Sequence, residues 1–255
     1  TVLDVAALTG LHVLNTRPVG QGEALDAALR AAGAQVSRLP LIAIEPLSPA
    51  SADERLLLDL DRYDGVFFVS ANAARLGLNA VAGCWPQWPH RLPVYAVGQG
   101  TASVLEQNGL TVTLPERADS EGLIALPALQ AVSGQRFLLF RGQGGRELLR
   151  ETLQARGASV TVIELYRRDL PVAAASQWQA LSASDVSVVI LTSPDALRHW
   201  QQVAGDEAGR LHWVVVSPRM HEMAVQAGAR VMQAPGADTQ SLLLAVQQLR
   251  EALAI

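Results

Sequence analysis

The sequence predicts an α/β protein made of two flavodoxin-like, doubly wound parallel-sheet domains with a cleft between them. Three observations lead there. Strand-length apolar runs alternate with helical patterns, as in parallel sheets covered on both faces. About five such strands fall in each half of the chain. The chain also matches itself: Val13–Glu23 and Phe137–Glu147 each read as a strand, a glycine-containing turn and a helix start.

The self-match runs on. Arg17, Gly20 and Glu23 meet Arg141, Gly144 and Glu147 at a shift of 124 residues, as Leu25, Leu29 and Gly33 meet Leu149, Leu153 and Gly157. At a shift of 123, Ser70 and Arg75 meet Ser193 and Arg198; at 119, Gly109, Asp119 and Leu123 meet Gly228, Asp238 and Leu242. Small changes of shift are what loop insertions produce. Unrelated βα units also resemble one another, but Gly, Arg, Ser and Asp recurring in one order favours duplication.

Each element has its own warrant. Leu11–Thr16 is a strand. Glu23–Ala32 places Leu25, Ala28, Leu29 and Ala32 on one helical face, and Gly33 stops it. Ala34–Leu39 is a second strand. Pro40–Pro46 is extended, either a linker or an edge strand. Asp53–Leu60 is helical, Gly65–Ser70 a buried strand, and Ala71–Val81 a helix. Leu92–Gly98 is a strand, Thr101–Gln107 a helix, and Leu110–Leu114 a strand. Ser120 opens a helix whose length Pro127 leaves open. The second copy follows with a strand over Phe137–Phe140 and a helix over Glu147–Ala155. Ser159–Leu165 is a strand running into Tyr166–Pro171. Helices cover Ala174–Leu181, Pro194–Val203 and Pro218–Gly228. Between them lie strands Val186–Thr192 and Leu211–Val216. Arg230–Gln233 and a helix led by Asp238 close the chain. Thr1–Gly10 is left out of the fold reading.

Composition narrows the function. At 255 residues and 49% apolar content, two small domains with full cores are expected. Apolar runs such as Val188–Leu191 fall far short of the roughly 20 residues of a bilayer span. A net charge of −4 argues against nucleic-acid or anionic-membrane partners. The lone Cys84 allows no intramolecular disulfide and no multi-thiolate metal site. The five histidines show no ligand spacing, and no Gly-x-Ser-x-Gly elbow is present, so neither a metal centre nor a nucleophilic triad is expected. No basic-then-apolar leader opens the chain, so the expected location is cytoplasmic.

In doubly wound sheets ligands bind beyond the C-terminal strand ends. Those ends carry Thr16–Pro18, Ser70–Ala71–Asn72, Gly98–Thr101, Arg141–Gly145, Thr192–Ser193–Pro194–Asp195 and Ser217–Pro218–Arg219. Each precedes a helix, whose first N–H groups and positive dipole end suit phosphates and carboxylates. Ser70, Thr101, Ser193 and Asp195 are equally readable as plain N-caps. The Arg141 loop lacks the Gly-Lys-Ser/Thr ending of a phosphate loop and the Rossmann glycine pattern. Arg17 and Arg141 either bind an anion or brace their own domains; Arg167 and Arg168 read as solvated. Asn15, polar inside an apolar strand, has no reading. The residues alone leave a two-domain anion binder, a non-catalytic binding module or a nucleotide enzyme.

Assembled, these segments resemble the uroporphyrinogen-III synthase family. The residues concerned are Val13–Pro18, Pro40–Pro46, Asp64–Asn72, Tyr95–Gly98 with Thr101–Ala102, Asp119–Leu123, Phe140–Arg146, Glu164–Arg168 and Thr192–Pro194. Single motifs are loose; their order and spacing are jointly specific. The resemblance implies a discontinuous first domain of residues 1–39 plus 172–255, a second of 47–163, and extended connectors at 40–46 and 164–171. It implies a cofactor-free, monomeric hydro-lyase acting on hydroxymethylbilane, with transient handover from the preceding enzyme. Tyr166 is its candidate for assisting loss of the hydroxyl. Carboxylate contacts are implied for Ser70, Ala71, Asn72, Gly98, Thr101, Ser193, Pro194 and Ser217. Arg17, Arg141 and Arg219 join them as candidates, although Arg219 departs from the small or hydroxyl residues common at its turn.

Overall fold

The computed structural model describes residues 7–48 and 51–253. The chain opens with β1 (His12–Asn15), α1 (Glu23–Ala31), β2 (Gln35–Arg38) and β3 (Ala43–Pro46). Next come α2 (Ser51–Leu58), β4 (Gly65–Phe68), α3 (Ala71–Ala82), β5 (Val94–Ala96), α4 (Gln99–Gln107), β6 (Val112–Thr113) and α5 (Ser120–Ala125). The second copy supplies β7 (Arg136–Gly142), α6 (Leu148–Ala155), β8 (Ser159–Asp169) and α7 (Ala174–Ser182). It ends with β9 (Val188–Leu191), α8 (Pro194–Ala204), β10 (His212–Val215), α9 (Pro218–Gln226), β11 (Arg230–Gln233) and α10 (Thr239–Leu253).

Two compact units result. One comprises the residues up to Ile44 with those from Asp169 onward, the other Glu45–Arg168. The first unit holds a five-stranded sheet in the order β11-β10-β9-β1-β2; its pairs β1·β2, β1·β9, β9·β10 and β10·β11 are all parallel. The second sheet runs β3-β8-β7-β4-β5-β6, and β7·β8, β4·β7, β4·β5 and β5·β6 are parallel. Strands at matching repeat positions take matching places: β1 and β7, β2 and β8, β9 and β4, β10 and β5, β11 and β6. Each unit thus joins the opening strand pair of one copy to the closing three of the other. In both, the strand order reverses between the central pair, β1·β9 or β7·β4, which is where doubly wound sheets open a crevice.

The cores follow from strand alternation. In the second unit, Phe67 stacks on Tyr95 at 4.9 Å and tilts against Phe137 at 5.4 Å. Its neighbour Phe68 points the other way and stacks on Phe140 at 4.9 Å. In the first unit Trp178 meets Trp200 edge-on at 4.8 Å within a layer that includes Trp213, and Leu25, Leu29 and Val246 fill the opposite face.

Several expectations are corrected. Leu8, left out of the sequence reading, is fully buried in the first core and donates its N–H to Ala32 O at 2.9 Å. The helix expected over Asp53–Leu60 ends at Leu58 and continues as a 3₁₀ turn over Leu60–Arg62. The strand expected over Phe137–Phe140 runs on to Gly142, with an irregularity between Arg141 and Gly142, so the glycine turn starts two residues later. Of the two readings of Pro40–Pro46, linker or edge strand, the structure takes the edge strand, over the last four residues.

Candidate functional site

Three helices that follow strand ends begin with the same serine device. Ser70, Ser193 and Ser217 are extended N-caps of α3, α8 and α9, with φ of −160°, −150° and −154°. Each hydroxyl accepts the N–H three residues on: Ala73 at 3.0 Å, Ala196 at 3.1 Å and Met220 at 3.3 Å. This satisfies one donor per helix and leaves the earlier first-turn N–H groups without a helical acceptor: those of Ala71 and Asn72 in α3, but only those of Asp195 and Arg219 in α8 and α9, where Pro194 and Pro218 have none. The fourth position of the pattern, at α4, holds Gly98 with φ −159° and no side chain. A Cβ there would lie 3.1 Å from the Ala118 Cβ, so glycine fits the tight approach. Asp119 and Asp238 cap α5 and α10 alike, accepting from Gly122 at 2.7 Å and Ser241 at 2.9 Å.

Tyr166, on β8, is 1% exposed. Its hydroxyl lies 2.9 Å from Ser70 Oγ and accepts from Arg168 Nη2 at 3.2 Å, while the Arg168 guanidinium sits 5.4 Å from the ring centroid. Ser70 therefore joins the α3 cap to the tyrosine. Gly142 makes this possible: a Cβ on it would meet the Tyr166 ring at 2.6 Å. Arg168, expected to be solvated, is exposed yet bound to Tyr166.

Arg141 is 7% exposed and bridges Glu147 at 2.7 Å and Glu164 at 3.3 Å. Its guanidinium braces the β7–α6 loop rather than standing open to an anion. The ion pair holds the Glu147 carboxyl below its ordinary range, through the Arg141 hydrogen bond first and Arg150 last. Arg17 does not copy this arrangement. It donates to Ala237 O at 3.0 Å, and the equivalent carboxylate, Glu23, is taken by Arg38 at 3.0 Å. Arg38 also reaches Asp26 at 3.4 Å. Asn15 completes this cluster: it is fully buried and donates to Asp26 Oδ1 at 2.6 Å and Gly22 O at 3.1 Å. The polar residue in an apolar strand is thus the internal brace of the β1–α1 loop, which sequence reasoning missed.

Within the second unit the structure brings together Ser70, Ala71, Asn72, Tyr166 and Arg141 at the ends of β4, β7 and β8. Asn72 Oδ1 accepts from Arg75 at 2.6 Å. Thr101 is corrected as a cap: it lies inside α4 and is 6% exposed, and Gly98 occupies the cap position. Asp195 pairs with Arg198 and leaves capping to Ser193. In the first unit Ser193, Pro194 and Ser217 open their helices, and Arg219 is exposed in the first turn of α9. The second unit also has a cavity of about 410 Å³ lined by Val69, Val97, Asp119, Arg141, Arg146 and Arg168, among others. It lies at the β7/β4 reversal. Arg146 of its lining pairs at 2.8 Å with Glu121, which lies outside the lining; both are absent from the sequence-based candidates. Only a contact across 25 residues reveals them. Among the described residues, no group of three or more His, Cys, Asp or Glu is placed to hold a metal ion.

Fold and turns together define a two-unit doubly wound α/β protein with backbone-rich helix starts at its strand ends. Residues 23–243 match the family model described as uroporphyrinogen-III synthase HemD. The uroporphyrinogen-III synthase of Escherichia coli K12 is 36% identical over 254 residues, covering 93% of this chain and all of the relative. That of Synechococcus elongatus is 31% identical, covering 79% of this chain and 78% of the relative. The chain belongs to the uroporphyrinogen-III synthase family. Its fold is that of a mutant uroporphyrinogen III synthase from the extremely thermophilic bacterium Thermus thermophilus (TM-score 0.65, 18% identity, 96% and 99% of the two chains). The synthetase from Helicobacter pylori gives a TM-score of 0.66 at 13% identity, covering 94% and 99%.

Proposed function

We propose that this chain acts as a uroporphyrinogen-III synthase, a cyclising lyase that converts hydroxymethylbilane into uroporphyrinogen III and water. The observation that carries this reading is the family match over residues 23–243. It spans Tyr166 and the Ser70, Gly98, Arg141, Ser193 and Ser217 turns.

The chemistry asks little of strong acids or bases. Loss of the terminal hydroxyl gives an azafulvene. Ring D attacks through its substituted α-carbon to form a spiro intermediate, which fragments and recloses with ring D inverted. Linear tetrapyrrole also closes unaided to the isomer without inversion, so the protein's task is to hold a near-attack shape. Helix-start N–H groups at the Ser70–Ala71–Asn72, Gly98–Thr101, Ser193–Asp195 and Ser217–Arg219 turns hold substrate carboxylates, with Pro194 and Pro218 setting the first helical residue rather than donating. The Tyr166 hydroxyl, positioned by Ser70 and Arg168, protonates or hydrogen-bonds the departing hydroxyl. Arg141 and Arg17 shape the loops that present these groups.

The proposal includes action without a cofactor, as a monomer in the cytoplasm, with substrate handed over transiently by the preceding enzyme. The net charge of −4 supports a partner other than nucleic acid. Among the described residues no helix is long and apolar enough to cross a membrane. The test is to add the protein to freshly made hydroxymethylbilane and separate the product isomers. Product shifts from isomer I to isomer III with increasing protein; isomer I alone at every concentration overturns the reading.

A further inference from the structure

The cavity of the second unit carries chemistry that the proposed reaction has not used. At about 410 Å³ it is within the range of small-molecule sites. Val69, Val97, Leu139 and Leu149 line it with apolar surface. Its lining holds three guanidinium groups, those of Arg141, Arg146 and Arg168, against one carboxylate, Asp119. Two of these charges are committed elsewhere. Asp119 caps α5 and pairs with Arg117, and Arg141 lies buried between Glu147 and Glu164. Arg146 and Arg168 are left, both exposed.

The geometry points to this cavity as the subsite for one pyrrole ring with its carboxylate side chains, in which a ligand carboxylate displaces Glu121 from Arg146. The inference rests on the synthase reading, since carboxylated pyrroles are that substrate's units. Arg146 holds Glu121 end-on: Nη2 reaches Oε1 at 2.8 Å and Nη1 reaches Oε2 at 3.3 Å. That fork is how arginine receives a free carboxylate. The partners are 64% and 37% exposed, so the pair is weak and exchange costs little. Glu121 also has a second cation to turn to, because Arg117 Nη2 lies 3.8 Å from its Oε2. Arg168 adds a donor on the same cavity and touches the Tyr166 hydroxyl, so a ring held here is linked through Arg168 to the group proposed to assist dehydration. The apolar lining takes the ring face and methylene stems.

A structural latch makes a different demand. If Arg146–Glu121 only ties the β7–α6 loop to α5, breaking it from either side has one effect. If the pair is an exchange site, the two sides act oppositely. The full-length protein is titrated calorimetrically with a monopyrrole carrying one acetate and one propionate chain, and KM for hydroxymethylbilane is measured in parallel. Arg146→Gln weakens monopyrrole binding and raises KM about tenfold, the scale of one lost charge-assisted fork. Glu121→Gln tightens binding and lowers KM, because the resident competitor is gone. Arg168→Gln, outside the latch, weakens binding with the pair intact. Unchanged binding in Arg146→Gln overturns the inference, as does equal weakening in Arg146→Gln and Glu121→Gln. Wild-type protein giving isomer III while Arg146→Gln leaves KM unchanged sinks the subsite alone. Wild-type protein giving only isomer I sinks the synthase reading, and the monopyrrole titration then decides the subsite by itself.

Discussion

Replacing Asn15 with leucine tests the brace of the β1–α1 loop. The substitution keeps the volume roughly constant and removes three hydrogen bonds: Nδ2 to Asp26 Oδ1 at 2.6 Å, Nδ2 to Gly22 O at 3.1 Å, and Arg17 N–H to Oδ1 at 3.2 Å. The first bond, to a carboxylate, is worth about 1.5–3 kcal/mol. Asp26 is only 5% exposed and keeps Arg38 at 3.4 Å as its remaining ion-pair partner. Burying leucine in place of the amide offsets about 1 kcal/mol. The expected net loss is about 2–3 kcal/mol. Urea unfolding followed by tryptophan fluorescence reads it, because Trp178, Trp200 and Trp213 all belong to the first unit's core. With a urea slope of about 1.5–2 kcal/mol per molar, the midpoint falls by more than about 1 M. Adding Asp26→Leu removes the stranded carboxylate, so the double variant is more stable than the sum of the singles by about 1 kcal/mol or more. An Asn15→Leu midpoint within error of wild type, or strict additivity, refutes the brace.

Three further outcomes are expected. Tyr166→Phe lowers kcat about tenfold if the hydroxyl assists dehydration; the stopped product assay reads this, and an unchanged kcat leaves Tyr166 a packing residue. Gly122→Ala costs about 3 kcal/mol or more, because its Cβ would sit 1.9 Å from Arg117 O, well inside overpacking range; an unshifted Tm contradicts the close approach. His212 has its pKa lowered by burial first and by Arg230 second. The unfolded chain therefore binds the proton more readily, and stability declines as pH falls below about 6.5, the ordinary imidazole value. His212→Gln flattens that decline in thermal melts between about pH 5 and 6.5. Parallel pH profiles of variant and wild type rule this out.

What was legible in the chain was local. An N-cap needs only a hydroxyl or carboxylate and the N–H three residues on, so Ser70 and Ser193 could be read as they stand, while Asp119, which meets the same rule, went unread. Thr101 was misassigned because Gly98, with no side chain to signal it, occupies the cap. Ion pairs were not legible, since the partner is chosen by neighbours across a sheet. Arg17 and Arg141 share one repeat position, yet Glu147 is held from the β1-equivalent strand by Arg141, while Glu23 is held from β2 by Arg38. The matching sequence position did not carry the matching contact.

By itself the sequence determined the alternation of strands and helices, the two similar α/β units and, through ordered motifs, the family. Those features depend on periodicity and short-range hydrogen bonds, which a chain encodes residue by residue. Only the tertiary structure decided that Thr16 bonds to Ile190 O across 174 residues, that Asn15 is a buried brace, and that Arg146, on the wall of a cavity, pairs with Glu121. Buried apolar strands look alike to any neighbour. Which pair forms, and which polar groups are stranded until they meet, is settled when the cores close and water leaves.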